Sequence, residues 1–171
     1  WGNDSVTPGA GSITAAMIAT GADFTFNNVV IGKGANSVSQ NTVVGYLALD
    51  AAVTGNQNTA VGYSALTSLT SGSQNTGIGT EAANSTTTGD GNTAIGQAAM
   101  YYNTTGGANT ALGRFALRAS TTASSNTALG YYALDANTTG GSNTAVGAYA
   151  LDVNTTGVQN VALGKGSLSL N

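Results

Sequence analysis

From residue 41 onward, apolar and polar positions recur on a seventeen-residue cycle that never slips. An Asn opens each turn of the cycle: Asn41, Asn58, Asn75, Asn92, Asn109, Asn126, Asn143 and Asn160. A Gly follows four places later, at Gly45, Gly62, Gly79, Gly96, Gly113, Gly130, Gly147 and Gly164. Position four is always a large aliphatic, from Val44 through Ile78 and Leu112 to Leu163, and position nine is Leu, Met or Ala. Position three is small from Ala60 onward, and position eight is Ala as far as Ala150. So strict a period means that one small unit is stacked many times. The apolar residues come in two pulses of three or four. A Gly between the pulses argues against a helix, where it costs about 1 kcal/mol, and marks a corner. The pattern therefore predicts two short strands per unit, joined in an all-β parallel β-solenoid or β-roll whose coils lie about 4.8 Å apart.

Alternation places Thr at position two and the aliphatic at position four on one face, with the small residue at position three on the other. The aliphatics of positions four and nine are the expected core, which would turn Thr inward. Two large apolar side chains per coil make a thin core, so the Ala-lined face is expected to close against another copy in a parallel homo-oligomer. Asn above Asn is expected to form an amide ladder along the stack. Gly55, Gly72, Gly89, Gly106, Gly140 and Gly157, at position fifteen, suit positive φ. Ala123 interrupts that series and predicts a different turn in its coil.

The first units are atypical, as terminal repeats are. Asn28-Val-Val-Ile-Gly32 repeats the pattern only thirteen residues before Asn41, which predicts a shortened coil over 28–40. Residues 1–27 are expected to be a cap or connector, with a loop around Pro8 and a strand at Phe24-Thr25-Phe26, and the shaft to occupy 28–171. Trp1 in place of Met predicts a chain that is processed, trimmed or a fragment.

Composition narrows the chemistry. Charged residues are 6% of the chain, the net charge is -3, and there is neither His nor Cys. Without them the commonest general base, metal ligand and thiolate are missing. With four cations in all, no basic patch for nucleic acid can form, and no apolar run is long enough to span a bilayer. No catalytic, cofactor-binding or metal site is expected, and an enzyme is not. Asp50, Asp135 and Asp152 share position ten, so Asp135 and Asp152 should stack; a solvated surface role is favoured over a cation site or an acid–base pair. Asn3, Asn84, Asn103, Asn137 and Asn154 begin Asn-x-Ser/Thr triplets, which turn composition alone produces. Aromatic residues occupy positions six, seven, ten and eleven, where they are expected to pack in a seam or corner. Tyr131, Tyr132 and Tyr149 are the candidates for stacking on a host-surface glycan.

The motif Asn-Thr-Ala-Val-Gly-x-x-Ala-Leu resembles the head repeat of trimeric autotransporter (YadA-like) adhesins. The seventeen-residue form with Asn-Thr-Thr-Gly is similar to repeats of phage tail fibres and related bacterial adhesive fibres. The resemblance covers 28–171; each coil is three residues longer than in the adhesin head. It implies a left-handed parallel β-roll, assembled as a homotrimer, on a virion, at a cell surface or otherwise outside the cell. The expected function is the structural shaft of such a fibre, continuous with further fibre segments and presenting a receptor-binding tip. The alternatives are a subunit of an end-to-end extracellular filament and, behind it, a glycan-binding or ice-binding solenoid.

Overall fold

The computed structural model describes residues 23–26, 28–34, 38 and 40–169; the proposed loop at Pro8 lies outside them. Ten strands form one sheet in chain order: β1 (Phe24–Phe26), β2 (Val29–Gly32), β3 (Thr42–Gly45), β4 (Thr59–Val61), β5 (Thr76–Ile78), β6 (Thr93–Ile95), β7 (Thr110–Leu112), β8 (Thr127–Leu129), β9 (Thr144–Val146) and β10 (Val161–Leu163). From β3 to β10 every pairing is parallel and joins like positions of successive coils, as in Ala94 with Ala111. The chain is thus an all-β parallel solenoid of seventeen-residue coils.

Each coil holds one strand, not two. The second apolar pulse is a turn. Its residues at positions seven and nine lie in the left-handed region, as at Phe115 (φ 61) and Leu117 (φ 53), and position seventeen does so at Ser125 (φ 61). Left-handed backbone costs a non-glycine residue roughly 1–2 kcal/mol. Here the cost is offset by complete burial of the position-nine side chain, including Leu66, Met100, Leu117, Leu134 and Leu151.

The two faces of the strand are the reverse of the expectation. Position three points inward: Val43, Ala60, Ala94, Ala111, Ala128 and Ala145 are 0% exposed. The aliphatics of position four point outward, with Val44 and Ile78 37% exposed and Leu112 and Leu129 40% exposed. Alternation fixed which residues share a face; the width of the coil decided which face is inside. The interior is so thin that a Cβ placed on Gly77 would lie 3.0 Å from Leu66 Cγ. In most coils Ala and the position-nine side chain fill it; in the first, Val43 takes the place of Ala. The Ala-lined face therefore cannot be a contact between chains.

The Asn residues form a buried ladder. Asn75 donates from its backbone N–H (2.9 Å) and its Nδ2 (3.2 Å) to Oδ1 of Asn58, and its Nδ2 also donates to the carbonyl of Gly89 (2.8 Å). The same set recurs at Asn92 and Asn126. The glycines divide their roles differently from the expectation. Positive φ belongs to position five, as at Gly96 (φ +129). Position fifteen is Gly because of contact between coils: a Cβ on Gly89 would sit 2.3 Å from the Gly106 carbonyl oxygen. Ala123 does not alter its coil, since its carbonyl accepts from Asn109 Nδ2 at 2.8 Å as its glycine counterparts do.

At the N-terminal end the direction reverses. β2 runs antiparallel to β3, and β1, the expected strand at Phe24–Phe26, antiparallel to β2. The Asn28 motif is therefore part of a reversed strand and not of a short coil in the parallel stack. The Asp23 carboxylate accepts from the backbone N–H groups of Lys33 and Gly34.

Candidate functional site

Two surfaces differ in kind. The first is the outer face of the sheet. Its aliphatic row runs from Val44 to Leu163 over about 34 Å at the usual spacing of parallel strands. Beside it runs the Thr row of position two, which points outward with the aliphatics: Thr42 and Thr110 are exposed, and Thr59, Thr76, Thr93, Thr127 and Thr144 are half-exposed. The inward Thr expected from the sequence followed from the inverted core and falls with it.

The second surface is the corner that follows the position-five Gly. Here the side chains vary from coil to coil. Tyr132 and Tyr149, one coil apart at position seven, lie parallel at 5.5 Å with 4° between planes. Tyr131 meets Tyr132 at 4.4 Å and 89°, and Tyr149 at 5.4 Å and 87°. The three candidate glycan-stacking rings are therefore brought together, with much of their ring surface turned on one another. Burial, followed by the influence of Tyr131, raises the hydroxyls of Tyr132 and Tyr149 above the ordinary phenol range. Phe115 continues the row, 4.9 Å from Tyr132.

Two guanidinium groups lie over these rings. Arg114 is 4.3 Å and Arg118 5.0 Å from the Phe115 centroid, distances at which a cation is attracted to a ring face. Arg118 also donates from Nη2 to Asp135 Oδ2 at 3.1 Å, with its Nε 3.0 Å from Oδ1. Burial raises the Asp135 carboxyl above the usual carboxylate range; Arg118 opposes the shift and Asp152, one coil on, adds to it. Asp135 is thus half of an ion pair, where the sequence suggested a solvated acid. Among the described residues, no group of three or more Asp and Glu side chains could hold a metal ion, and no helix is long and apolar enough to cross a membrane.

One recess opens on this corner, about 200 Å³ in volume and lined by Glu81, Ala98, Tyr101, Tyr102, Phe115 and Arg118. Sequence reading missed it, because its members lie on three successive coils. The signal was present in the seventh-position series Glu81, Ala98, Phe115, where a methyl group interrupts large side chains. Of the Asn-x-Ser/Thr triplets, Asn3 lies outside the described residues. Asn103 and Asn137 are 0% exposed and Asn154 8%, enclosed in the folded rod. The Asn ladder and the position-five glycines are buried or part-buried along most of the rod and make no site.

Comparison with protein-family models, with curated proteins and with solved structures finds no match to the chain.

Proposed function

We propose that the chain is a section of the structural shaft of a trimeric fibre, borne on a virion or a bacterial surface, which holds a receptor-binding tip away from the particle or cell. The observation that carries this reading is the outward aliphatic row. A monomer rarely leaves a continuous apolar stripe in water unless something covers it. Here the stripe is nearly free of charge and repeated at the spacing of the coils. A second and a third copy laid parallel to the first would match it rung for rung, burying position four of each chain. The resemblance of the repeat to trimeric fibre heads supports three chains around the axis and a location outside the cell. No catalytic group is assigned a role.

Sedimentation equilibrium is the direct test, with a mass three times that of the chain expected. Leu112→Glu with Leu129→Glu should yield folded monomers. A wild-type chain that stays monomeric at high concentration would sink the trimer. Electron microscopy adds a second test: short discrete rods fit a shaft, whereas indefinite fibres favour the end-to-end filament.

A second reading of the same face is favoured by the outward Thr row. Regular hydroxyl and methyl groups on a flat sheet can order water as an ice surface does. Ice binding needs the face uncovered, so thermal hysteresis in a monomeric preparation would favour this reading over the trimer, and its absence would remove it.

A further inference from the structure

The seventh-position side chains form a continuous line along the corner: Glu81, Ala98, Phe115, Tyr132, Tyr149. From Phe115 onward rings occupy the line and touch one another. At Ala98 it falls to a methyl group, and the recess of about 200 Å³ opens there. We propose that this recess binds one neutral pyranose unit of a glycan.

The lining selects the ligand class. The edge-on pair Tyr101 and Tyr102, 4.7 Å apart at 77°, offers ring surface to the C–H face of a sugar, and Phe115, already under Arg114 and Arg118, forms part of the wall. Aromatic side chains of this kind combine an apolar body with a polar tip. The Glu81 carboxylate accepts from sugar hydroxyls, and the Arg118 N–H groups not directed at Asp135 donate to them. Charge excludes the other candidates. A carboxylate or phosphate ligand would face Glu81. An ammonium ligand would find Arg118 already over the Phe115 ring, at 5.0 Å. A ring of hydroxyl groups, each both donor and acceptor, suits the two opposed charges together. The ion pair with Asp135 holds Arg118 at the recess wall. In the Tyr131, Tyr132 and Tyr149 cluster the rings are turned on one another instead. The site does not rest on the fibre reading, since one chain carries the whole lining.

Saturation-transfer NMR on the intact chain tests the proposal, with methyl glucoside, methyl galactoside, methyl mannoside and N-acetylglucosamine as probes. N-acetylneuraminic acid and tetramethylammonium are the charged controls. At least one neutral sugar should bind saturably with a Kd on the order of 1 mM, as expected of a shallow site. Ala98→Phe should abolish the signal. The substitution extends a row whose members share one backbone conformation, Ala98 at φ 52 and Phe115 at φ 61, so the chain should still fold. Should it not, Tyr102→Ala, at a ring 51% exposed, gives the same test with binding about fivefold weaker. The proposal is overturned if no neutral sugar binds, if a charged control binds more tightly, or if the folded variants bind as tightly as the wild-type chain.

Discussion

The strand side of each coil and the corner beside it obey different rules. Along the strand, residue type hardly changes from β4 to β9: Thr outward, Ala or Gly inward, an aliphatic outward. At the corner, position seven passes from Leu47 and Ser64 through Glu81 and Ala98 to Phe115, Tyr132 and Tyr149. The difference follows from what each Cβ meets. At position five, and in most coils at position fifteen, it would face the backbone of the next coil, as at Gly96 and Gly89; inside the strand it meets a packed interior, as at Gly77 beside Leu66, where only Gly, Ala and Val occur. At the corner, Glu81, Phe115, Tyr132 and Tyr149 reach the surface, and the rings among them meet one another, while the small Ser64 and Ala98 are buried. Stacking therefore fixes one side of the rod and leaves the other free to carry recognition.

Placing a side chain where only backbone fits should do the most damage. Gly96→Val would bring a Cβ within 2.7 Å of Gly113 backbone atoms at φ +129, and should cost about 3 kcal/mol or more, read as a fall in the thermal unfolding midpoint. Next comes the ladder. Asn92→Ala removes the acceptor of two Asn109 bonds and a donor to Asn75 and Gly106. Unpaired buried groups of this kind cost about 1–3 kcal/mol each, so urea unfolding should show a loss of at least about 2 kcal/mol. A gain is expected where the interior row is incomplete. Ser120 Oγ and Asn103 Oδ1 lack hydrogen-bond partners, whereas one coil pair on Asn154 Nδ2 donates to Asn137 Oδ1 at 2.9 Å. Ser120→Asn should supply the missing donor and stabilise by about 1 kcal/mol, provided the interior accepts its volume; a lower midpoint would show that it does not.

Corner substitutions should have the smallest effects on stability, and pH is the sharpest probe there. Because burial raises the Asp135 carboxyl, the folded chain binds its proton more tightly than the unfolded chain does. That contribution is complete below the ordinary carboxylate range and is lost as pH rises through the raised value. Asp135→Asn should flatten the dependence of the melting midpoint on pH from the ordinary carboxylate range upward. An unchanged profile would remove Asp135 as its source.

Much of this architecture was legible because period and stacking are the same fact. The Asn spacing implies seventeen-residue coils, and the paired strands carry that spacing. Which side of the strand is interior was not legible. Hydrophobicity favours Val44 or Leu112 as core over Ala60 or Ala111, but position three is the inward one, and the narrow coil holds Ala or Gly there in all but the first, which has Val43. The second strand was misjudged for a related reason. Leu117 and Leu134 suit a strand by type, yet they sit in left-handed turns, which propensity does not anticipate for Leu. The recess at Ala98 was hidden because nothing in one repeat encodes it; it exists only between repeats that differ.

The Asn ladder has a direction. Each rung is a backbone N–H that donates backward to a side-chain Oδ1, from Asn58 to Asn41, from Asn75 to Asn58, and so on up to the bond from Asn160 to Asn143. A ribosome delivers the acceptor of every rung before its donor. A coil leaving the ribosome therefore meets a finished rung to close on, so the rod can lengthen in step with synthesis and need not wait for the whole chain.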